Sequence, residues 1–383
     1  MKHQHKNISR RLAAAVMAGA MMVSMAGMTA SAQQGDPAEP KYVYSEGDTF
    51  TITKYLEIPA YIMTPDVTFN FTITGAANVG TQKINGIPVQ AGAAGDISQT
   101  AGADFNPGTT VPNAGRIEDA KATFEVDLSK YNAPGIYKYS VAENTANPYD
   151  GVTYSSEAKD LYVYIQNKVD GEGSYVDSND DGIPDREVAY VMLVNAGQDP
   201  TVAAGKDDSF TNKYGKDDDG DDTLYDLTLT KKITGNVANL NDEFDFTVTI
   251  DADNANDKFV LKRGETYTVI GNGQTKVESL GNGESITIIG LSKEDAYTIV
   301  EDYGTKEGYT TTATVDGTTY DLKGGLTVED KDGISADVAV VYTNDKTAST
   351  PTGVVMTVVP YIVMVVAAAG VAFLFLHRRH SEF

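Results

Sequence analysis

The sequence predicts an all-β protein built as two tandem domains, and three observations carry that expectation. The 383-residue chain is rich in Tyr (22) and Gly (36) and lacks Trp, a composition that favours strands joined by tight turns. Its apolar residues alternate with period two rather than recurring every three or four positions. Two stretches are near copies of each other: Phe50-Thr51-Ile52-Thr53-Lys54-Tyr55-Leu56 and Leu227-Thr228-Leu229-Thr230-Lys231-Lys232-Ile233. In an extended chain, residues i, i+2 and i+4 share a face. Phe50, Ile52, Lys54 and Leu56 therefore point one way, as do Leu227, Leu229, Lys231 and Ile233. Each strand drives a lysine into an apolar face, where an unpaired ammonium must lose its proton or find a partner.

Residues 1–32 have the pattern of a secretory signal. A basic start, Lys2 to Arg11, leads into an apolar run and then the small-x-small site Ala30-Ser31-Ala32. Residues 33–41 form a polar, Pro-containing leader. The first domain spans residues 42–212, with strands expected at Phe50–Leu56, Val67–Thr74, Ala122–Leu128, Ile136–Glu143, Asp160–Gln166 and Ala189–Asn195. The Gly- and Ala-rich stretch from Gly75 to Ala120 shows little periodicity and reads as long loops with one hairpin, turning at Asn85-Gly86. Residues 213–222, Lys-Tyr-Gly-Lys-Asp-Asp-Asp-Gly-Asp-Asp, are too polar to bury and read as a solvated linker.

The second domain, residues 223–345, repeats the plan more compactly. Strands are expected at Tyr225–Ile233, Asp242–Ile250, Thr266–Ile270, Ser285–Ile289, Tyr297–Glu301, Tyr309–Val315 and Ala336–Thr343, with tight hairpins at Gly271-Asn272-Gly273 and Gly281-Asn282-Gly283. No P-loop Lys-Ser/Thr follows either glycine cluster. Residues 346–383 form a terminal anchor. Gly353 to Leu376 carries no charge and, at about 1.5 Å per helical residue, is long enough to cross a bilayer core of about 30 Å. The basic tail His377-Arg378-Arg379-His380 then stops transfer.

Composition excludes several functions. The net charge of −24 repels phosphate backbones and argues against nucleic-acid binding. The chain has no cysteine, and its four histidines (His3, His5, His377 and His380) fall outside the two domains. A Ser-His-Asp triad, a cysteine nucleophile and a His/Cys zinc site are thereby ruled out of residues 33–352. A carboxylate-only glycan hydrolase survives on paper, but no sugar-binding aromatic platform marks it.

Other inward-facing groups share a face with aromatic or aliphatic neighbours: Glu143 with Tyr139 and Val141, Glu301 with Tyr297 and Ile299, Asn212 with Phe210, and Asn344 with Tyr342. Each domain thus carries Lys, then Glu, then Asn in the same order. Desolvation turns the lysine toward a nucleophilic amine and the glutamate toward its protonated form. The acid can hydrogen-bond the asparagine carbonyl and hand protons to departing ammonia, leaving an amide between the first and last strands. The plainer reading is a lysine at a sheet edge, paired with the glutamate and discouraging aggregation. The same ordered trio twice in one cysteine-free, exported chain favours the covalent reading.

These residues carry a resemblance. Thr53-Lys54, Val141-Ala142-Glu143 and Phe210-Thr211-Asn212, with Lys231-Lys232, Val300-Glu301 and Tyr342-Thr343-Asn344, are similar to the major (backbone) pilin subunits of Gram-positive bacteria, of the two-domain streptococcal type. The tail from Pro351-Thr352-Gly353 to Pro360-Tyr361 resembles the sorting signal of that type. The resemblance implies two immunoglobulin-like β-sandwiches, with Glu143 and Glu301 promoting Lys54–Asn212 and Lys231–Asn344 isopeptide bonds. It also implies a pilin-type sortase that cleaves between Thr352 and Gly353 and joins Thr352 to a lysine of the next subunit. Lys206 is the nearest match for that lysine, with Lys213 and Lys216 as competitors. Further copies of the chain, minor pilins or a tip adhesin, and the membrane before sorting are the implied partners, at the cell surface. An anchored, non-polymerising adhesin with the same domains is the rival reading. No enzymatic turnover and no cofactor are expected, apart from candidate calcium at Asp177, Asn179, Asp181 and Asp185, whose spacing around Gly182 is that of a calcium loop without its closing glutamate.

Overall fold

A computed structural model describes residues 47–76, 79–302, 308–322, 326–349 and 361–368. The two units in tandem are all-β, each built on two main sheets that share one core, with a two-stranded sheet beside them in the first. In the first unit a five-stranded sheet runs in the order Val152–Thr153, Ser209–Tyr214, Thr49–Ile58, Arg116–Val126, Ile97–Ala101. The second sheet is organised around Gly135–Glu143, flanked by Ala158–Asn167 on one side and by Phe71–Gly75 and Ile87–Ala91 on the other. In the second unit a seven-stranded sheet centres on Tyr225–Thr234 and Val338–Asp345. It is faced by the four strands Lys276–Leu280, Phe244–Asp251, Ala296–Asp302 and Thr327–Asp330.

One topological feature is common to both units. The opening strand lies parallel and adjacent to the closing strand: Thr49–Ile58 beside Ser209–Tyr214, and Tyr225–Thr234 beside Val338–Asp345. Parallel neighbours need a long crossover, and here the crossover is nearly the whole unit.

Several local expectations change. Gly75 to Ala120 contains strands at Lys83–Ile84, Ile87–Ala91, Ile97–Ala101 and Ala103–Phe105, besides the start of Arg116–Val126. The Asn85-Gly86 turn is present, with both residues at positive φ (50° and 82°), as a two-residue hairpin requires. The segment read as one strand over Val67–Thr74 is broken at Asn70: Val67–Phe69 pairs with Ala103–Phe105, and Phe71–Gly75 pairs with the glutamate strand. Neither Gly-Asn-Gly triplet closes a hairpin. Each joins a strand of one sheet to a strand of the other, because Lys276–Leu280 belongs to the facing sheet while Thr266–Gly271 and Ser285–Leu291 do not. Asn282 caps that second crossing, accepting the Ile233 N–H on its side-chain oxygen.

The acidic stretch between the units is folded at both ends. Ser209–Tyr214 runs two residues into it, Tyr214 is buried, Lys216 bridges Asp222, and Leu224 packs into the first core. Apolar Tyr214 and Leu224 bracket the charges and hold them down. Across the seam Tyr61 stacks on Tyr267 at 4.4 Å, Tyr149 donates to Asp257, and Lys258 donates to the carbonyls of Pro107 and Gly108.

The expected signal sequence, the expected sorting peptide with Thr352 and Gly353, and the basic tail lie outside the described residues. Within the expected anchor, residues 361–368 are helical and exposed, and no described helix is long and apolar enough to cross a membrane.

Candidate amide-forming sites

The opening and closing strands position two members of each trio. Lys54 registers against Phe210 and Leu56 against Asn212; Lys231 registers against Tyr342 and Ile233 against Asn344. The asparagine is therefore offset by two residues from its lysine in both units, on the same face, a reach that a lysine side chain spans. The glutamate arrives from the facing sheet, where Glu143 pairs with Phe71 and Glu301 with Phe246. All six residues are buried.

In each unit one carboxylate oxygen touches both nitrogens. Lys54 Nζ lies 2.7 Å from Glu143 Oε1, and Asn212 Nδ2 donates to the same oxygen at 3.0 Å. Lys231 Nζ donates to Glu301 Oε1 at 2.8 Å, and Asn344 Nδ2 donates to it at 2.7 Å. Lys54 approaches off the line of a good hydrogen bond. The second oxygen, Oε2, of each glutamate is buried without a hydrogen-bond partner. A naked carboxylate oxygen in an apolar core is costly, whereas a protonated one is less so.

The expected bond from the acid to the asparagine carbonyl is not what forms. Each carboxyl instead meets the amide nitrogen, the atom that must leave. In the first unit the carbonyl oxygen of Asn212 accepts the Ser155 N–H at 2.8 Å. This orientation suits proton delivery to Nδ2 better than polarisation of the carbonyl.

Aromatic rings roof the lysines. Phe69 lies 5.0 Å from Lys54 Nζ, and Phe244 and Phe246 lie 4.0 and 5.6 Å from Lys231 Nζ. Burial lowers Lys54 to a pKa of about 8, against the raising pull of the Glu143 carboxylate. Burial likewise raises Glu143 above the usual carboxylate range, despite the opposing charge of Lys54 and the bonds from Lys54 and Asn212. One oxygen touching both nitrogens can take a proton from Nζ and deliver it to Nδ2 while Nζ bonds to Cγ. Bond formation, C–N cleavage and loss of ammonia then balance without another reagent.

A pH dependence follows for the first unit. Attack requires the pair to hold one shared proton: a second proton, at low pH, keeps Lys54 an ammonium, and losing the shared one leaves Glu143 unable to donate. The rate of ammonia loss, measured by mass on freshly folded Glu301→Gln chain, should be bell-shaped with its alkaline limb near the Lys54 pKa of about 8. A rate that kept climbing through that limb would remove Glu143 as the proton carrier.

Two features lie outside the residues singled out in the sequence. Phe69-Asn70-Phe71-Thr72-Ile73-Thr74 and Phe244-Asp245-Phe246-Thr247-Val248-Thr249 are near repeats that supply the roofing rings and the strand beside each glutamate. The second is Lys159, fully buried, whose Nζ donates to Asn195 Oδ1 at 2.6 Å and Asp207 Oδ2 at 2.7 Å. Its shared face with Leu161 and Val163 was a usable signal. The chemistry differs from the trios. Burial works to raise the Asp207 pKa, but hydrogen bonds from Lys159 and Ser209 hold it below the usual range. An ionised acid is a poor proton donor, so Lys159 is a clasp joining the two ends of the 195–207 connection.

Lys206 sits on that connection, half-buried, next to the short turn Ala203–Gly205, and burial lowers its pKa. Its competitors are engaged with nearby aspartates: Lys213 with Asp218 at 3.0 Å and Lys216 with Asp222 at 2.6 Å. Asp177, Asn179, Asp181 and Asp185 share one exposed loop, where their oxygens accept N–H groups of the loop itself. No group of three or more His, Cys, Asp or Glu side chains placed to hold a metal ion occurs among the described residues.

Residues 50–215 match the model described as a Spy0128-like isopeptide containing domain, and residues 225–347 match one described as a domain of unknown function. A protein described as pilin, from Streptococcus pyogenes serotype M1, is 25% identical over 354 residues, covering 88% of this chain and 92% of the relative. Two solved structures share the fold. The major pilin protein T3.2 of S. pyogenes serotype GAS13637 has a TM-score of 0.54 at 23% identity, over 79% of this chain and 99% of its own. The S. pyogenes major pilin has a TM-score of 0.53 at 22% identity, over 79% and 100%. Fold and sites define a pair of β units, each with a lysine and an asparagine touching one buried carboxyl at its core. Together with these relatives, they support a Gram-positive major pilin.

Proposed function

We propose that this chain is the shaft subunit of a covalent pilus on a Gram-positive cell surface, with each unit self-crosslinked once, by Lys54–Asn212 and by Lys231–Asn344. The observation that carries the reading is the recurrence of one buried Lys–Glu–Asn arrangement at the same two-residue register offset in both units. Glu143 and Glu301 act once each, so the chain is a structural protein rather than an enzyme. Thr352 is the residue a pilin-type sortase transfers, and Lys206 of the next copy is the residue that receives it. The relatives support a pilus subunit.

Two measurements test it. Intact mass of the folded chain should fall short of its sequence mass by two ammonia molecules, and a mass with nothing missing would end the crosslinking reading. Cell-wall extracts should contain a ladder of high-mass species that survives boiling in detergent. A single anchored band would leave the non-polymerising adhesin instead.

A further inference from the structure

Attack on an amide carbon moves negative charge onto its oxygen, so an amide-forming site gains from a hydrogen-bond donor held there. The first unit has one in its backbone, since Ser155 N–H donates to Asn212 Oδ1 at 2.8 Å. Ser155 follows Val152–Thr153, the strand that flanks the closing strand on the side away from the opening strand. In the second unit Asn344 Oδ1 is buried with no hydrogen-bond partner. There the flanking strand is Thr310–Val315, and its register sets Thr311 directly opposite Asn344. Opposed residues of an antiparallel pair project from the same face. Thr311 Oγ1 is also buried and without a partner. An orphaned donor and an orphaned acceptor thus occupy facing positions without being bonded, and rotation of the Thr311 side chain about χ1 is the movement that would bring the hydroxyl onto the developing oxyanion. Thr311 also lines an open cavity with Glu301.

We propose that the Thr311 hydroxyl is the oxyanion donor of the Lys231–Asn344 site, the part that a backbone N–H plays in the first unit. The inference rests on the amide-forming reading of the trio. The Nζ lone pair of neutral Lys231 bonds to Asn344 Cγ, and the carbonyl π pair moves to Oδ1. Oδ1 takes a hydrogen bond from Thr311 without taking its proton. Collapse then expels Nδ2, with a proton delivered by Glu301, while Nζ surrenders one to the same carboxyl. One amide and one ammonia result.

The test uses the full chain made by cell-free synthesis, carrying Glu143→Gln so that only the second unit reacts. Samples quenched over time are weighed intact, and the fraction lacking one ammonia gives the rate. Thr311→Val should slow closure roughly tenfold or more while Thr311→Ser stays within about twofold, given that losing one oxyanion donor typically costs about a hundredfold or more. Where valine disturbs folding, Thr311→Ala removes the same hydroxyl and should be equally slow. Closure of the valine or alanine chain at the parent rate would overturn the proposal. So would a serine chain as slow as valine, because packing would then be the cause. A parent chain that never loses ammonia would sink the trio reading itself, and this inference with it, a result distinct from equal rates.

Discussion

The Glu143→Gln, Glu301→Gln double variant should fold, keep its full sequence mass and melt far below the parent. Glutamine has nearly the same shape and can still meet Lys54 or Lys231 with its carbonyl oxygen, but it cannot ferry a proton at neutral pH. Both amides should therefore be missing together, and each single variant should lose one ammonia instead of two. The thermal effect follows from chain entropy. A crosslink between residues 54 and 212, or 231 and 344, closes a loop of more than a hundred residues, and by the loop-closure relation each is worth about 5 kcal/mol. For units of this size that corresponds to a fall of roughly 10–20 °C in Tm. The glutamine variant leaves the core filled, whereas Glu143→Ala would also strand a buried amine and confuse the two costs. Calorimetry and intact mass on the same samples decide the matter. An unshifted Tm with both ammonias lost would mean that the amides form without the glutamates.

Lys206→Ala should abolish the polymer ladder and leave a secreted monomer whose mass still lacks two ammonias. The effect is all or none because a polymer needs an acceptor in every copy. Two structural facts bear on this lysine: burial lowers its pKa, and the Lys159 clasp holds both ends of its connection. A lowered pKa leaves more neutral amine to attack a thioester. Lys213→Ala and Lys216→Ala should leave the ladder intact. A ladder unchanged in Lys206→Ala would pass the acceptor role to another lysine without touching the amide-forming sites, because those are read from mass alone.

Much of this was legible in the residues. Lys54 and Lys231 stood out because a period-two pattern that puts an ammonium on an apolar face is a local contradiction, and such contradictions gather at functional sites. Glu143, Glu301, Asn212 and Asn344 followed by the same rule, and the register offset makes the three meet. The strands between Gly75 and Ala120 were not legible, since they are short, rich in Gly and Ala, and held by pairings with distant segments such as Arg116–Val126 and Gly135–Glu143. The crossing at Gly281-Asn282-Gly283 looks like a hairpin because a turn's residues do not reveal which sheet receives the next strand. Ser155 and Thr311 were beyond reach for another reason. One acts through its backbone, and the other matters only through the residue that pairing sets opposite it.

The parallel placement of opening and closing strands has a mechanical consequence. With Lys206 and Thr352 as the joints between copies, tension along a fibre enters the first unit just before Ser209–Tyr214 and leaves along that single strand. It would reach the second unit at Tyr225–Thr234 and, with the proposed Lys231–Asn344 amide in place, step directly across to Val338–Asp345. The strands in between hang beside the load path rather than in it, so a stretched fibre can hold without extending either unit.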